Sequence, residues 1–334
     1  MKFPVKSALV AVIAAAALLS ASVAAAQDAG SDKIDNAPDD LKAALRAAGV
    51  NSTTAALPAA QGDTKIAALD TEELKDAGIP DQPTLAGDFT QGGLVIGQTK
   101  AGSTVMLDER VVGVDADGRF IIGFDRDHGE SAVLEITYPD GTLLTPQVLN
   151  VAPREFNIER IDGLADNKVS TFTPEEEEKI VADLEKKKNA RAGMGDTAYW
   201  MNGFNWPVTG RISGVFGSQR ILNGVPRRFH SGVDVAAPTG TEIRAPADGR
   251  ITLAEPDMYF EGGLVFIDHG QGLESAIMHM SRIDVEAGDE VKKGDVIGAV
   301  GATGRATRPH MHWSLKWQAR QPDAQLVVPE MPGS

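Results

Sequence analysis

A chain of 334 residues, 42% hydrophobic and 24% charged, is long enough for two domains with linkers and has the make-up of a globular protein. Its formal charge of -15 at pH 7 speaks against nucleic acid or an anionic membrane surface as the main partner. There is no cysteine, so a disulfide scaffold and a cysteine-linked lipid anchor are excluded and stability must come from core burial.

Residues 1–26 read as an export signal. Lys2 and Lys6 precede an apolar run over 8–19, and the small residues at 23–26 supply a cleavage site of the Ala-x-Ala type near Ala26. The run is shorter than the roughly 20 apolar residues needed to span a bilayer, so cleavage and a periplasmic or envelope location are expected, without stable membrane insertion. Loss of Lys2 and Lys6 takes the charge from -15 to -17.

Residues 27–86 are rich in Ala, Asp, Thr and Gly and nearly free of aromatics, a composition that struggles to offset the entropy of ordering. A low-order region is expected there, interrupted by two short helices at 38–48 and 71–77. Over 87–155 the pattern changes to β-branched runs between turn residues, with strands predicted at 94–96, 104–107, 111–114, 119–124, 132–138 and 143–151. That spacing implies a small sandwich of immunoglobulin-like type. Asp115-Ala116-Asp117-Gly118 lacks the later ligands and closing Glu of a calcium loop and reads as a hairpin turn. His128, in a polar loop, reads as a solvated residue.

A connector follows over 156–198. Thr173-Pro174-Glu175-Glu176 opens a helix running to about 192, with acid first and Lys186 to Lys188 near the end, the charge order that complements a helix dipole. Its apolar stripe of Ile180, Val181 and Leu184 is narrow, as on a surface helix. A second β domain is expected over 199–318 and an irregular tail over 319–334.

The chemistry lies in that second domain. If His230-Ser231-Gly232-Val233-Asp234 is extended, an imidazole and a carboxylate share one face beside a residue with no side chain, while Val233 and Val235 enter the core. His310 and His312, two apart in Arg-Pro-His-Met-His-Trp, likewise share a strand face with Met311 and Trp313 opposite. On a third strand Ala276, Met278 and Met280 form the predicted core face and Ile277, His279 and Ser281 the other. His269, in Asp268-His269-Gly270, is expected at a turn, with a positional role. A catalytic zinc needs three protein ligands, an open position for water, and nearby groups to move protons and hold charge. Four histidines and one aspartate divide into three ligands and two assistants.

Together with these residues, Trp206-Pro207-Val208-Thr209-Gly210-Arg211, Phe216-Gly217, Ala245-Pro246-Ala247-Asp248-Gly249, Gly288-Asp289-x-Val291, Gly294-x-x-Ile297-Gly298 and Gly301-x-Thr303-Gly304 occur in an order that resembles the lysostaphin and LytM family of zinc peptidoglycan endopeptidases. The resemblance covers about residues 205–317. It implies a mainly β protein: an N-terminal immunoglobulin-like sandwich, a helical connector and a C-terminal LytM-type antiparallel β domain akin to a lipoyl-hybrid barrel. It also implies zinc held by His230, Asp234 and His312, with His279 and His310 activating water and stabilising the oxyanion. The substrate would be peptidoglycan peptides, cut at amide bonds in cross-links or stem peptides. The alternative within the same resemblance is a non-catalytic LytM-like module that activates a cell-wall amidase. Arg308 stands where the family commonly has glycine, Ile277 where it has an aromatic and Met311 where it has leucine. The Gly288 to Gly298 pattern is also similar to biotinyl and lipoyl carrier hairpins, but no lysine sits in a Met-Lys-Met or Asp-Lys-Ala hairpin tip.

Overall fold

The computed structural model describes residues 82–162, 172–193 and 195–332. The expected export signal and the two short helices lie outside these residues. The strands begin before residue 87, since β1 (Thr84–Gly87) overlaps the end of the stretch expected to be of low order. They continue with β2 (Leu94–Gln98), β3 (Thr104–Leu107), β4 (Arg110–Val112), β5 (Arg119–Gly123), β6 (Ser131–Thr137) and β7 (Gln147–Asn150).

These strands make two antiparallel sheets, β1-β2-β5 and β4-β3-β6-β7. β6 alternates buried and half-buried residues, the pattern of a sheet with one face inward. β2 and β5 do not alternate: Leu94, Val95, Phe120, Ile121 and Ile122 are all fully buried. Their second face is covered by the end of the chain, so tightly that a Cβ on Gly123 would lie 3.1 Å from Pro322 and 3.2 Å from Trp317. The Asp115 turn uses its carboxylate internally, Oδ1 accepting the N–H groups of Asp117 and Arg119 at 2.9 and 2.8 Å. His128 is not the solvated residue expected: its ring packs edge-on against Phe124 and its Nε2 lies 3.3 Å from Asp108.

The connector contributes β8 (Ile158–Ile161) and α1 (Pro174–Arg191). α1 starts at a capping box in which Thr173 and Glu176 satisfy each other's backbone N–H groups. The expected apolar stripe is not its packed face, since Val181 and Leu184 are exposed. The docked face is charged: Lys179, Lys186, Lys187 and Arg191 reach Asp257, Glu255, Glu261 and Glu274, and buried Asp183 accepts the Tyr259 N–H.

The second domain holds β9 (Arg211–Gly214), β10 (Gln219–Leu222), β11 (Val225–Pro226), β12 (Val233–Ala236), β13 (Glu242–Arg244), β14 (Gly249–Met258), β15 (Gly262–Gly270), β16 (Leu273–Ile283), β17 (Glu290–Val291), β18 (Val296–Val300) and β19 (Met311–Trp317). The main sheet runs β17-β14-β15-β16-β19-β12-β9, with β18 pairing both β16 and β13. Its inner face is the core of Val233, Val235, Ile277, Met311, Trp313 and Leu315; on its outer face Leu264, Phe266 and Ala276 form a smaller cluster against Ala190 of α1. β8 pairs in parallel with β10, so the connector extends the sheet work of this domain. The segment after Gln318 is not an irregular tail: it forms a 3-10 turn (Ala324–Val327) and buries Ala324, Val327, Val328 and Met331. No helix among the described residues is long and apolar enough to cross a membrane.

Candidate active site

Three strands deliver the site. β12 and β19 are antiparallel neighbours with Asp234 directly opposite His312, and Met278 of β16 lies opposite His312 on the other side. The apolar partners of this register, Val233, Val235, Met311 and Trp313, are fully buried, which pins the polar residues between them to the opposite face. His230 precedes β12, held by backbone bonds from its N–H to Ser218 and from Gly217 to its carbonyl, each 2.8 Å.

The donor atoms converge. His230 Nε2 lies 3.0 Å from Asp234 Oδ1 and 3.0 Å from His312 Nδ1, and His312 Nδ1 lies 2.8 Å from Asp234 Oδ1. Among the described residues these three form the one group of such side chains with geometry for a metal ion. His230 Nδ1 donates to the Val215 carbonyl at 3.0 Å, so in the neutral ring Nε2 carries a lone pair towards the carboxylate. Lone pairs facing each other at this distance repel unless a cation or a proton lies between them. Tetrahedral zinc bonds of about 2.0–2.2 Å place donors roughly 3.3 Å apart, so a shift of a few tenths of an ångström accommodates the ion. The donor set therefore fits zinc.

Two glycines make room. A Cβ on Gly232 would lie 2.2 Å from the Trp313 carbonyl and 2.9 Å from His312 Nε2; one on Gly214 would lie 2.3 Å from Asp234 Oδ2. Electrostatically the cluster is tightly coupled. Burial would raise the Asp234 carboxyl, but hydrogen bonds from His230 and His312 overcome it and hold it well below the usual carboxylate range. Burial pushes His312 down; at His230 burial also acts downward, but the bond to Asp234, the Asp234 charge and the Val215 carbonyl together outweigh it and raise it.

His279 is placed by a departure from strand geometry. β16 was expected to alternate Ala276, Met278 and Met280 inward, yet Ile277 and Met280 both enter the main core while Ala276 faces the outer cluster. His279 adopts a left-handed φ of 64° at a register break between the Val265–Ile277 and Gly263–Met280 pairs, and this bulge reverses the parity. The strained position aims the imidazole at the cleft, where its Nδ1 donates to the Thr303 carbonyl at 2.9 Å. Thr303 also bonds the bulge through its hydroxyl, to Gly263 N–H and the Met280 carbonyl, each 2.9 Å. Burial, aided by the neighbouring imidazoles, lowers His279 to about 4 and keeps it neutral. His310 donates Nδ1 to the Arg308 carbonyl at 2.8 Å, and its ring centroid is 4.7 Å from that of His279. His310 Nε2 lies 3.8 Å from Asp234 Oδ1, and the His279 ring centroid lies 6.3 Å from that of His312, so both imidazoles border the donor triangle.

His269 is not at a turn. It lies inside β15, fully buried, donating Nδ1 to the Asp248 carbonyl and accepting the Ser275 hydroxyl at Nε2, both 2.7 Å; Ser275 Oγ accepts Trp313 Nε1–H at 3.0 Å. This satisfied chain supports β19 from behind, one residue from His312. Roles of Thr303, Gly214 and Val215 were missed from sequence. Thr303 lay in a quoted motif, but backbone carbonyls and required glycines leave no side-chain signal.

Residues 228–324 match Peptidase family M23. These residues form an M23 peptidase domain. This family is zinc-dependent, in keeping with the donor triangle. The DD-carboxypeptidase/endopeptidase Mpg of Neisseria meningitidis is 44% identical over 89 residues, 27% of this chain and 20% of that protein. The peptidoglycan DD-endopeptidase ShyA of Vibrio cholerae is 37% identical over 116 residues, 34% of this chain and 26% of that protein. The chain thus spans about a fifth to a quarter of the length of these curated relatives. A crystal structure of a Pseudomonas aeruginosa protein assigned to peptidase M23 is 29% identical, with a TM-score of 0.55, covering 71% of this chain and 94% of that one. That likeness reaches beyond the M23 domain into the residues that precede it.

Proposed function

We propose that this chain is a zinc-dependent endopeptidase that hydrolyses amide bonds in the cross-links or stem peptides of peptidoglycan, exported to the cell envelope for wall remodelling. The observation that carries the reading is the donor triangle of His230 Nε2, Asp234 Oδ1 and His312 Nδ1, with two further imidazoles beside it, each with its Nδ1 bonded to a backbone carbonyl. The M23 domain and relatives named as peptidoglycan endopeptidases support it.

In this reading His230, Asp234 and His312 hold the ion. When bound, zinc supplies Lewis-acid polarisation of the scissile carbonyl and acidifies the attacking water. His279 and His310, their Nδ1 protons committed to backbone carbonyls, present basic nitrogens to the cleft. One accepts the proton of the attacking water at Nε2; the protonated imidazole then donates to the departing amine or to the oxyanion as negative charge develops. The Thr303 and Arg308 carbonyls fix which nitrogen of each ring does this. Domain boundaries follow the same reading: a sandwich to about 155, a connector to 198 and the peptidase domain beyond.

The test is digestion of purified peptidoglycan by the full chain, with mass spectrometry of the released muropeptides. New peptide termini that vanish with chelator and return with zinc are expected. An unchanged muropeptide profile would contradict the reading, and stimulation of a separate amidase in the same preparation would select the non-catalytic alternative.

A further inference from the structure

Arg126 belongs to the sandwich but is buried at its join with the M23 domain, 6% exposed. Its Nε donates to the Gly217 carbonyl at 2.8 Å, and its guanidinium lies 4.6 Å from the centroid of the Phe156 ring and 5.2 Å from that of Phe229. Asp127 meets its charge from the same loop. A desolvated guanidinium with planar stacking and a directed N–H bond is a rigid fixture.

What it grips is the support of His230. Phe229 is its chain neighbour, and Gly217 N–H donates to the His230 carbonyl at 2.8 Å. Two residues before Gly217, the Val215 carbonyl accepts His230 Nδ1 and sets which ring nitrogen faces Asp234. There is no slack in the join: Gly217 is left-handed, φ 78°, and a Cβ there would lie 2.1 Å from Phe156. We propose that Arg126 is a positioning residue for the metal site, through which the sandwich domain fixes the orientation of the His230 ring. This rests on the reading of His230 as a zinc ligand. Other bonds tie the same two domains without touching the site, such as Gln318 Nε2 to the Val111 carbonyl at 2.8 Å.

The test measures zinc affinity of the full chain by competition with a chromophoric chelator, together with the visible spectrum of the cobalt(II) form. Loss of an outer partner of a ligating histidine typically weakens a site about 10–100-fold, and Arg126→Met is expected to fall in that range with an altered cobalt spectrum. Gln318→Ala, which loosens the join elsewhere, is expected to stay within about twofold of the unsubstituted chain. Arg126→Lys keeps the cation but loses the stacking plane and the Nε donor; it guards against misfolding of the Met variant and is expected to lose affinity as well. Unchanged affinity and spectrum in either Arg126 variant, or equal losses in Gln318→Ala, overturn the positioning role. No zinc binding by the unsubstituted chain overturns the metal reading along with it.

Discussion

At Gly232 the smallest side chain of the sequence does the work of a spacer. Any Cβ there meets the Trp313 carbonyl and His312 Nε2, both held by β19, so neither can yield cheaply. Gly232→Ala is expected to weaken zinc binding at least tenfold, measured by chelator competition, by pushing His312 from the triangle. The ligands and the assistants separate by a different pair of readings. His279→Ala and His310→Ala are expected to bind zinc at full stoichiometry while losing about 10²–10⁴ in kcat on a peptidoglycan substrate, the usual worth of a general acid or base. Loss of zinc from either would show that these residues belong among the ligands. At this scale the sequence was informative because Asp234 and His312 sit on period-two strands flanked by Val233, Val235, Met311 and Trp313, which leave each polar residue one choice of face. It was misleading at Ala276 and Ile277, because the bulge at His279 inverts that parity and no residue type announces it.

Among the elements, α1 was legible from its cap and charge order, yet its packed face was not, since ion pairs rather than an apolar stripe dock it on β14 to β16. Thr173→Ala removes one half of the capping box and is expected to lower stability by about 1 kcal/mol with no change in zinc affinity, as read by chemical denaturation. β15 carries a second prediction. Burial holds His269 neutral down to about 4, against 6.5 for an unperturbed imidazole. Between these values the unfolded chain binds a proton that the folded chain refuses, so stability falls as pH drops from about 6.5 towards 4. His269→Gln retains a donor and an acceptor but does not titrate, and its Tm should fall less steeply over this window. An identical slope would remove His269 as the cause. Asp108 adds a separate acid limb: burial is outweighed by bonds from His128, Val133 and Arg320, which hold it at about 2. Its contribution is complete above 3.8 and is lost as pH falls through 2.

For the whole molecule, a mainly β chain with one helix could be read from composition and turn spacing, but the way its parts join could not. β8 pairs with β10, α1 covers the outer cluster, Arg154 reaches Asp323, and Arg320 donates to the Gly123 carbonyl and Asp108. These contacts join residues far apart in sequence, and the prolines after Gln318 conceal a segment that closes the second face of β2 and β5. A chain beginning at Tyr199 is therefore expected to unfold at lower temperature than the full chain, measured by calorimetry on both. The account turns most directly on where zinc binds. Zinc per chain, measured by elemental analysis after reconstitution and removal of free metal, should be one for the unsubstituted protein and for His279→Ala and near zero for Asp234→Ala. One equivalent retained by Asp234→Ala would contradict it.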